Sequence, residues 1–300
     1  MSSAEHPLHR SYLYAPASSP RVMRKALQSG ADAVLFDLED AVAPDAKDDA
    51  RRELTVILDE VAAGRSATGP ARGAPDVHAR VNRDGGGYHA ADLDAAIRPG
   101  LEALRLPKVE SAAMIHTVAE QVAALEEARG LTTGRIGFYL VVESAVGAVR
   151  LEELVGAHHR VQRLVIGGQD LLADIGSAGD DDLATLSLRS DMVLHSRAAG
   201  IGPPIDGVYT DLHDLDGLRR SSIRSRTLGF VGRSVLHPKQ LPVVHEVYTP
   251  TPEELAHAER LVAALREAEL SGTGALRIDG EFIDLAIVKR AQALLARRTP

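Results

Sequence analysis

Cysteine is absent from all 300 residues, which excludes disulfides, thiolate metal sites and cysteine nucleophiles and leaves any chemistry to oxygen and nitrogen groups. The same absence fits a reducing compartment, and a cytoplasmic location is expected. Tryptophan is also absent, aromatic residues make up only 3% and the formal net charge is −8. Neither a basic footprint nor a set of base-stacking platforms is present, so nucleic acid is not expected as a partner. No stretch approaches the ~20 apolar residues that a membrane span requires. The opening MSSAEHPLHR has no apolar run of signal-peptide length, and no membrane association is expected.

What is present is a 45% hydrophobic content, enough for one substantial core. Short runs rich in valine, isoleucine and leucine alternate with longer segments of helical spacing, the pattern of parallel βα units. Eight runs are predicted as strands: Tyr12 to Ala15, Ala33 to Leu38, Val77 to Asn82, Ala103 to Pro107, Gly137 to Val142, Arg163 to Gly167, Pro204 to Tyr209 and Arg233 to His237. Most are apolar nearly throughout, as strands covered on both faces should be. Helices are predicted from Ser19-Pro20 to Gly30, Pro44 to Gly64, Glu110-Ser111 to about Gly130, Leu183 to Gly200, Leu215 to Gly229 and Pro252 to Leu270, with proline near the start and glycine at the end of several. Eight repeats in about 250 residues match an α/β fold of the (β/α)₈ TIM-barrel class. The segment 64–75 (GRSATGPARGAP) reads as a surface loop, and 271–274 (SGTG) as a hinge. Residues 1–270 are therefore expected to form the barrel and 271–300 a C-terminal lid or tail, with a helix over Leu285 to Arg297, docked on the barrel or on a neighbouring subunit.

In such a barrel the chemistry sits at the carboxyl ends of the strands. There the sequence places Asp37, Glu39 and Asp40 after run two, Arg80 on run three, Lys108 after run four and Glu143 after run five. Gly167, Gly168, Gln169 and Asp170 follow run six, with Asp206 and Tyr209 on run seven and His237 on run eight. Several carboxylates beside arginine and lysine suit a bound cation and an anionic substrate. Glu143 and Asp170 are 27 residues apart, close to one βα repeat, which puts them on neighbouring strand ends. Two carboxylates with room for water and substrate oxygens suit Mg2+, whereas zinc favours histidine or cysteine. Simple solvation of the rim is the other reading of the pair. Arg80 is a candidate to hold a substrate carboxylate or oxyanion, or to form a salt bridge to Asp37 or Glu39, and the two roles are compatible. Gly167 and Gly168 either present backbone N–H groups to a substrate or permit a tight turn. Lys108 is a substrate-binding candidate or a structural partner of Glu110 or Glu39, and His237 is read as a cap more than a proton carrier. The run Asp84-Gly85-Gly86-Gly87 has no Walker pattern around it and is read as a plain loop.

Ordered stretches along the whole chain carry a family resemblance: RSYLYAPASSP (10–20), GADAVLFDLEDAVAPDAKDDAR (30–51), ARVN (79–82), LPKVES (106–111), VVES (141–144), GGQDLLADIG (167–176), IDGVYTDLHDLDGL (205–218), GFVGRSVLHPKQ (229–240), YTPTPEE (248–254) and IDGEFIDLAIVKRAQALL (278–295). The chain resembles the citrate lyase β-subunit-like proteins of the aldolase/citrate lyase group, which includes malyl-CoA and citramalyl-CoA lyases. The resemblance implies a magnesium-dependent barrel that joins or separates an acyl-CoA enolate and an α-keto acid, with thioesterase activity as an addition. It implies that Glu143 and Asp170 bind the metal, that Arg80 holds the keto-acid oxygen, and that amides near Gly167 and Gly168 receive its carboxylate. It further implies that Asp37, Glu39 and Asp40 steady Arg80 and metal-bound water, that Asp284 is the acid/base residue, supplied across a subunit boundary by the lid, and that the chain forms a homotrimer or hexamer. From the residues alone, Asp284 reads equally well as a helix N-cap.

The chain departs from the family pattern at Ala15-Pro16-Ala17-Ser18, where a Pro-Gly-Asn or Pro-Gly-Asp loop is common. Val146 stands for an arginine, Gln169 for an acid and Ala286 for a proline. These departures bear on the acyl donor more than on the metal pair. A CoA-independent keto-acid aldolase and a non-catalytic metabolite-binding barrel therefore stand as the rival readings.

Overall fold

Seven apolar runs become parallel strands: β1 (Ser11–Pro16), β2 (Ala33–Asp37), β3 (Asp76–Arg80), β4 (Ala103–Leu106), β5 (Gly137–Val142), β6 (Val161–Ile166) and β7 (Arg233–Val235). The structure is a computed structural model and describes residues 8–68, 73–83, 85–179, 183–271, 276–278 and 281–296. The strands form one parallel sheet in the order β6-β5-β4-β3-β2-β1-β7. Every residue of β2 and β5 is buried, which explains why these strands read as unbroken apolar runs: helices cover one face and the sheet's own curl covers the other. Among the described residues no helix is long and apolar enough to cross a membrane.

The predicted strand Pro204 to Tyr209 is the exception. It is reduced to two isolated parallel bridges, Ile205 with Val165 and Asp206 with Arg233. The Ile205 N–H donates to Leu164 O at 2.9 Å and that of Asp206 to Gly232 O at 2.9 Å, so one residue joins each edge strand of the sheet. Pro203 and Pro204 have no N–H to extend a ladder. The eight-strand expectation is thus corrected to seven strands and two bridges.

Helices connect the strands where the spacing places them, at Pro20–Leu27, Ala112–Ala128, Leu186–Ala199 and Leu215–Leu228. The loop expected over 64–75 is partly helical: Lys47–Thr68 continues through Gly64, because Arg65 is anchored by an ion pair to Glu102 and a 3.0 Å hydrogen bond to Pro75 O. Residues 69–72 of that segment lie outside the described residues, as do Asp84 and 272–274 of the expected hinge. Short helices unforeseen from the sequence occupy His89–Ala96, Ala145–Val149, Leu151–Val155, Gly168–Asp174 and Leu241–Tyr248. Each is under nine residues, too short to show a helical period.

Buried ion pairs brace the framework. Asp206, fully buried, receives Arg189 at 2.8 Å together with Arg233 and Ser225. These partners hold its carboxyl below the ordinary range against a burial that pushes the other way. Asp206 is therefore a structural ion, not a rim group. Tyr209 likewise serves a local contact, its hydroxyl donating to Asp214 at 2.8 Å.

The chain divides into two compact units, residues 1–244 and 245–300, whereas the sequence places the division at 270/271. In the second unit Ala258 and Leu261 of the helix Pro252–Ser271 pack with Val288 and Ala291 of the helix Leu285–Leu295, which takes the former helix out of the first unit. An antiparallel pair, β8 (Leu276–Ile278) and β9 (Glu281–Ile283), lies between these two helices in the chain.

Candidate active site

Neighbouring strand ends deliver the expected residues in order: Asp37 from β2, Arg80 from β3, Lys108 two residues beyond β4, Glu143 immediately after β5 and Asp170 four residues beyond β6. Because β2 to β6 are consecutive in the sheet, the parallel register alone gathers these side chains at one edge.

Arg80 is the hub. Its Nε and Nη2 each donate to one oxygen of Asp37 at 2.7 Å, a bidentate pair. Its Nη1 lies 2.9 Å from Glu39 and 3.2 Å from Asp40. Burial works against the charged form of Arg80, yet the Asp37 hydrogen bonds hold the guanidinium above its ordinary value. With five N–H donors, Arg80 serves three carboxylates and keeps one donor for a ligand oxygen. Asp37 also accepts from the N–H groups of Glu39 at 2.9 Å and Ala41 at 3.1 Å, closing the turn that presents Glu39 and Asp40. Glu39 is buried, and this pushes its carboxyl up to about 8 although Arg80 opposes the shift.

The second half of the cluster is built on Lys108. Its φ of 49° makes it the single non-glycine residue in the left-handed region among the described residues, a conformation that costs about 1 kcal/mol. The bend points its N–H at Glu143 Oε1, 2.8 Å away, while its Nζ lies 3.8 Å from Asp170 Oδ1. One residue thus touches both acids of the proposed pair. Glu143 is 4% exposed; burial raises its carboxyl to about 7, against the Lys108 hydrogen bond and with the help of the Asp170 charge. Gly167 is required beside it, since a Cβ there would stand 2.4 Å from both Cβ and Oε2 of Glu143. The Gly167 N–H donates to Val142 O at 3.0 Å, so the first amides left for a ligand begin at Gly168, in the opening turn of Gly168–Asp174.

A divalent cation fits this donor set. The groups are oxygen only, a buried carboxylate is held near neutrality by its own burial and by a second acid, and the ionised pair calls for positive charge. Among the described residues no three His, Cys, Asp or Glu side chains group as metal ligands. A cation there would take two protein ligands and complete its shell with water and substrate oxygens, which suits magnesium.

Lys47 was not singled out in the sequence. It is buried, and its Nζ donates to the carbonyls of Leu38 and Glu39 at 2.6 Å each and to Asn82 Oδ1 at 2.9 Å. Asn82 in turn donates to Leu38 O and to Asp92, which Arg51 pairs. This network pins the turn that carries Glu39 and Asp40. The spacing of Lys47 from Glu39 was the available signal, but a lysine opening a helix reads as solvent-facing.

Other expected residues lie elsewhere. Glu110 pairs with Arg83 at 3.2 Å, not with Lys108. His237 caps the short turn Pro238–Gln240, its Nδ1 accepting from the Lys239 N–H at 3.1 Å while Gln240 closes a capping box. Asp284, in the second unit, is exposed and caps the helix Leu285–Leu295, its Oδ1 accepting from the Ile287 N–H at 2.8 Å.

Comparison with known proteins gives consistent matches. Citrate lyase subunit beta of Leuconostoc mesenteroides subsp. cremoris is 32% identical over 289 residues, covering 96% of this chain and 92% of its own. A (3S)-malyl-CoA thioesterase of Cereibacter sphaeroides is 34% identical over 298 residues, covering 99% of this chain and 96% of its own. The structure of protein CitE from Mycobacterium tuberculosis in complex with magnesium, acetoacetate and coenzyme A superposes with a TM-score of 0.74 at 29% identity, covering 97% of this chain and 98% of that one. The HpcH/HpaI aldolase/citrate lyase description matches residues 10–238, a span that holds all seven strands of the sheet and every residue of the cluster. On that match and these relatives, the chain belongs to the HpcH/HpaI aldolase/citrate lyase family.

Proposed function

We propose that this protein is a magnesium-dependent carbon-carbon lyase that cleaves or forms a β-hydroxy acyl-CoA, of the malyl-CoA or citramalyl-CoA type, from an acyl-CoA and an α-keto acid, with thioesterase activity as a further outcome. The observation that carries this reading is the meeting of Glu143 and Asp170 at Lys108, alongside Arg80 in its cage of three acids. Relatives that carry the names citrate lyase subunit beta, L-malyl-CoA/beta-methylmalyl-CoA lyase and (3S)-malyl-CoA thioesterase support it.

In this reading Glu143 and Asp170 hold the cation, which when bound supplies Lewis-acid polarisation of the keto oxygen. Arg80 gives its remaining donor to that oxygen, with Asp37, Glu39 and Asp40 fixing the guanidinium plane so that no reorganisation accompanies the reaction. Lys108 and the Gly168 amide meet the substrate carboxylate. Asp284, supplied by the C-terminal lid of a neighbouring subunit, exchanges a proton with the enolate carbon as that lid closes and excludes water. The Ile205 and Asp206 bridges to the two edge strands support closure into a full (β/α)₈ barrel, and a cytoplasmic homotrimer or hexamer belongs to the same reading.

The test is a mass-spectrometric screen of acyl-CoA and keto-acid pairs with magnesium and with EDTA. Product that forms with magnesium and is lost with EDTA is expected; no product from any pair would remove the reading. Asp284 is tested apart from its cap. Asn is as good an N-cap as Asp, so Asp284→Asn should leave the Tm unchanged and lower kcat by about 10²–10⁴. Asp284→Asn at full activity would reduce the residue to a cap.

A further inference from the structure

Below the acidic rim the inner face of the sheet turns basic. Arg80, Arg105, Tyr139 and Arg163 are successive register partners across β3 to β6 and so share one face. Arg105 is completely buried. Its Nη1 donates to Ser234 Oγ at 2.8 Å, and its guanidinium carbon sits 4.8 Å from the centre of the Tyr12 ring and 5.7 Å from that of Tyr14. Its Nε and Nη2 have no acceptor, and His78 Nδ1, in an equally buried side chain, has no hydrogen-bond partner; the Tyr12 hydroxyl, also buried, has only the Tyr139 side chain beside it. Among the described residues Arg105 has no carboxylate at ion-pair distance.

Arginine stays protonated in proteins, and a buried charge without a counter-charge is among the costliest arrangements a fold can hold. Two tyrosine faces and one serine hydroxyl offset part of that cost but contribute no negative charge. The unpartnered groups lie together. The His78 ring is 5.5 Å from that of Tyr12 and 4.6 Å from that of Tyr139, and the Arg105 charge acts on both His78 and Tyr12. The surrounding wall is Ala33, Ala103, Val141, Val165 and Ile205.

We propose that the interior of the sheet binds one small monovalent anion, of the halide class, between Arg105, Tyr12 and His78. A halide accepts at once from the guanidinium, the hydroxyl and the imidazole N–H and brings the single negative charge that Arg105 lacks. A water could give its hydrogens to the Tyr12 oxygen or to a His78 ring nitrogen, but it is neutral and leaves the Arg105 charge without a counter-charge. The site is distinct from the carboxylate rim and does not depend on the activity assigned there.

Crystals grown in sodium bromide test the proposal directly. An anomalous peak within hydrogen-bonding reach of Arg105 and Tyr12 is expected; no anomalous signal there, or density that refines as water, overturns it. In solution, replacing gluconate by chloride at constant ionic strength should raise the Tm saturably by about 3 °C. Arg105→Met and Tyr12→Phe should lose that rise. Tyr12→Phe removes one oxygen and keeps the comparison available if Arg105→Met does not fold. Equal Tm values in the two salts also overturn the proposal.

Discussion

Replacing Glu143 by Gln should make the protein more stable and less useful. Burial lifts this carboxyl from an ordinary 4.5 to about 7, which corresponds to about 3 kcal/mol of destabilisation of the ionised form. The folded state therefore holds its proton more tightly than the unfolded state. That advantage is complete below pH 4.5, declines as the pH rises and is lost once it passes 7. Glutamine keeps the shape and an oxygen to accept from the Lys108 N–H but carries no charge. At pH 8 in EDTA, Glu143→Gln should gain about 1–2 kcal/mol, the buried amide NH₂ offsetting the rest, or about 4 °C in Tm. The gain should fade as the pH is lowered toward 4.5, where the wild-type carboxyl is protonated and equally neutral. Magnesium reverses the order: at 100 times its Kd it stabilises the wild type by about 2.7 kcal/mol, and the variant should show little of this. Scanning calorimetry at several pH values, with EDTA and with magnesium, measures all of these quantities. A variant less stable than the wild type in EDTA at pH 8, or one equally stabilised by magnesium, would refute the reasoning.

Lys47→Met should strand the carbonyls of Leu38 and Glu39, cost about 2–3 kcal/mol and loosen the turn that aims Glu39 and Asp40. Its mark as a positioning residue is a fall in kcat with the magnesium affinity unchanged, read by steady-state kinetics beside a metal titration; a parallel loss of both would make its role a general one. Asp206→Asn should cost about 3–5 kcal/mol in urea unfolding at pH 7, because Arg189 and Arg233 remain buried without their shared anion. Since these partners depress the carboxyl of Asp206, that stability is fully present above the ordinary carboxylate range and is lost as the pH falls through the depressed value. The gap between wild type and variant should therefore close only in strong acid.

Local composition was enough for the strands that are apolar on both faces. β2 and β5 stand where their valine, leucine and phenylalanine runs stand, because a strand buried on both sides can carry little else. That the candidate residues gather at one edge was also legible, since acids and bases that follow such runs must emerge at one edge of a parallel sheet. The Pro203-Pro204 stretch misled because its apolar character signals burial, whereas ladder formation depends on N–H groups that proline lacks. Arg105, Arg163 and Lys47 are not distinguished by the sequence. Nothing within a few residues of each reports that the polar end is enclosed.

The linear chain by itself determined the donor types: no thiol, and a set of carboxylates and an arginine spaced at βα intervals, which suit a hard cation and an anionic substrate. Only the tertiary structure decided how those groups share their charge. Whether Arg80 meets one acid or three, whether Lys108 reaches both Glu143 and Asp170, and whether Glu143 titrates near 4.5 or near 7 all depend on distances and burial set by contacts between segments far apart in sequence. Coulombic and desolvation energies vary steeply with those two quantities, and residue order alone specifies neither.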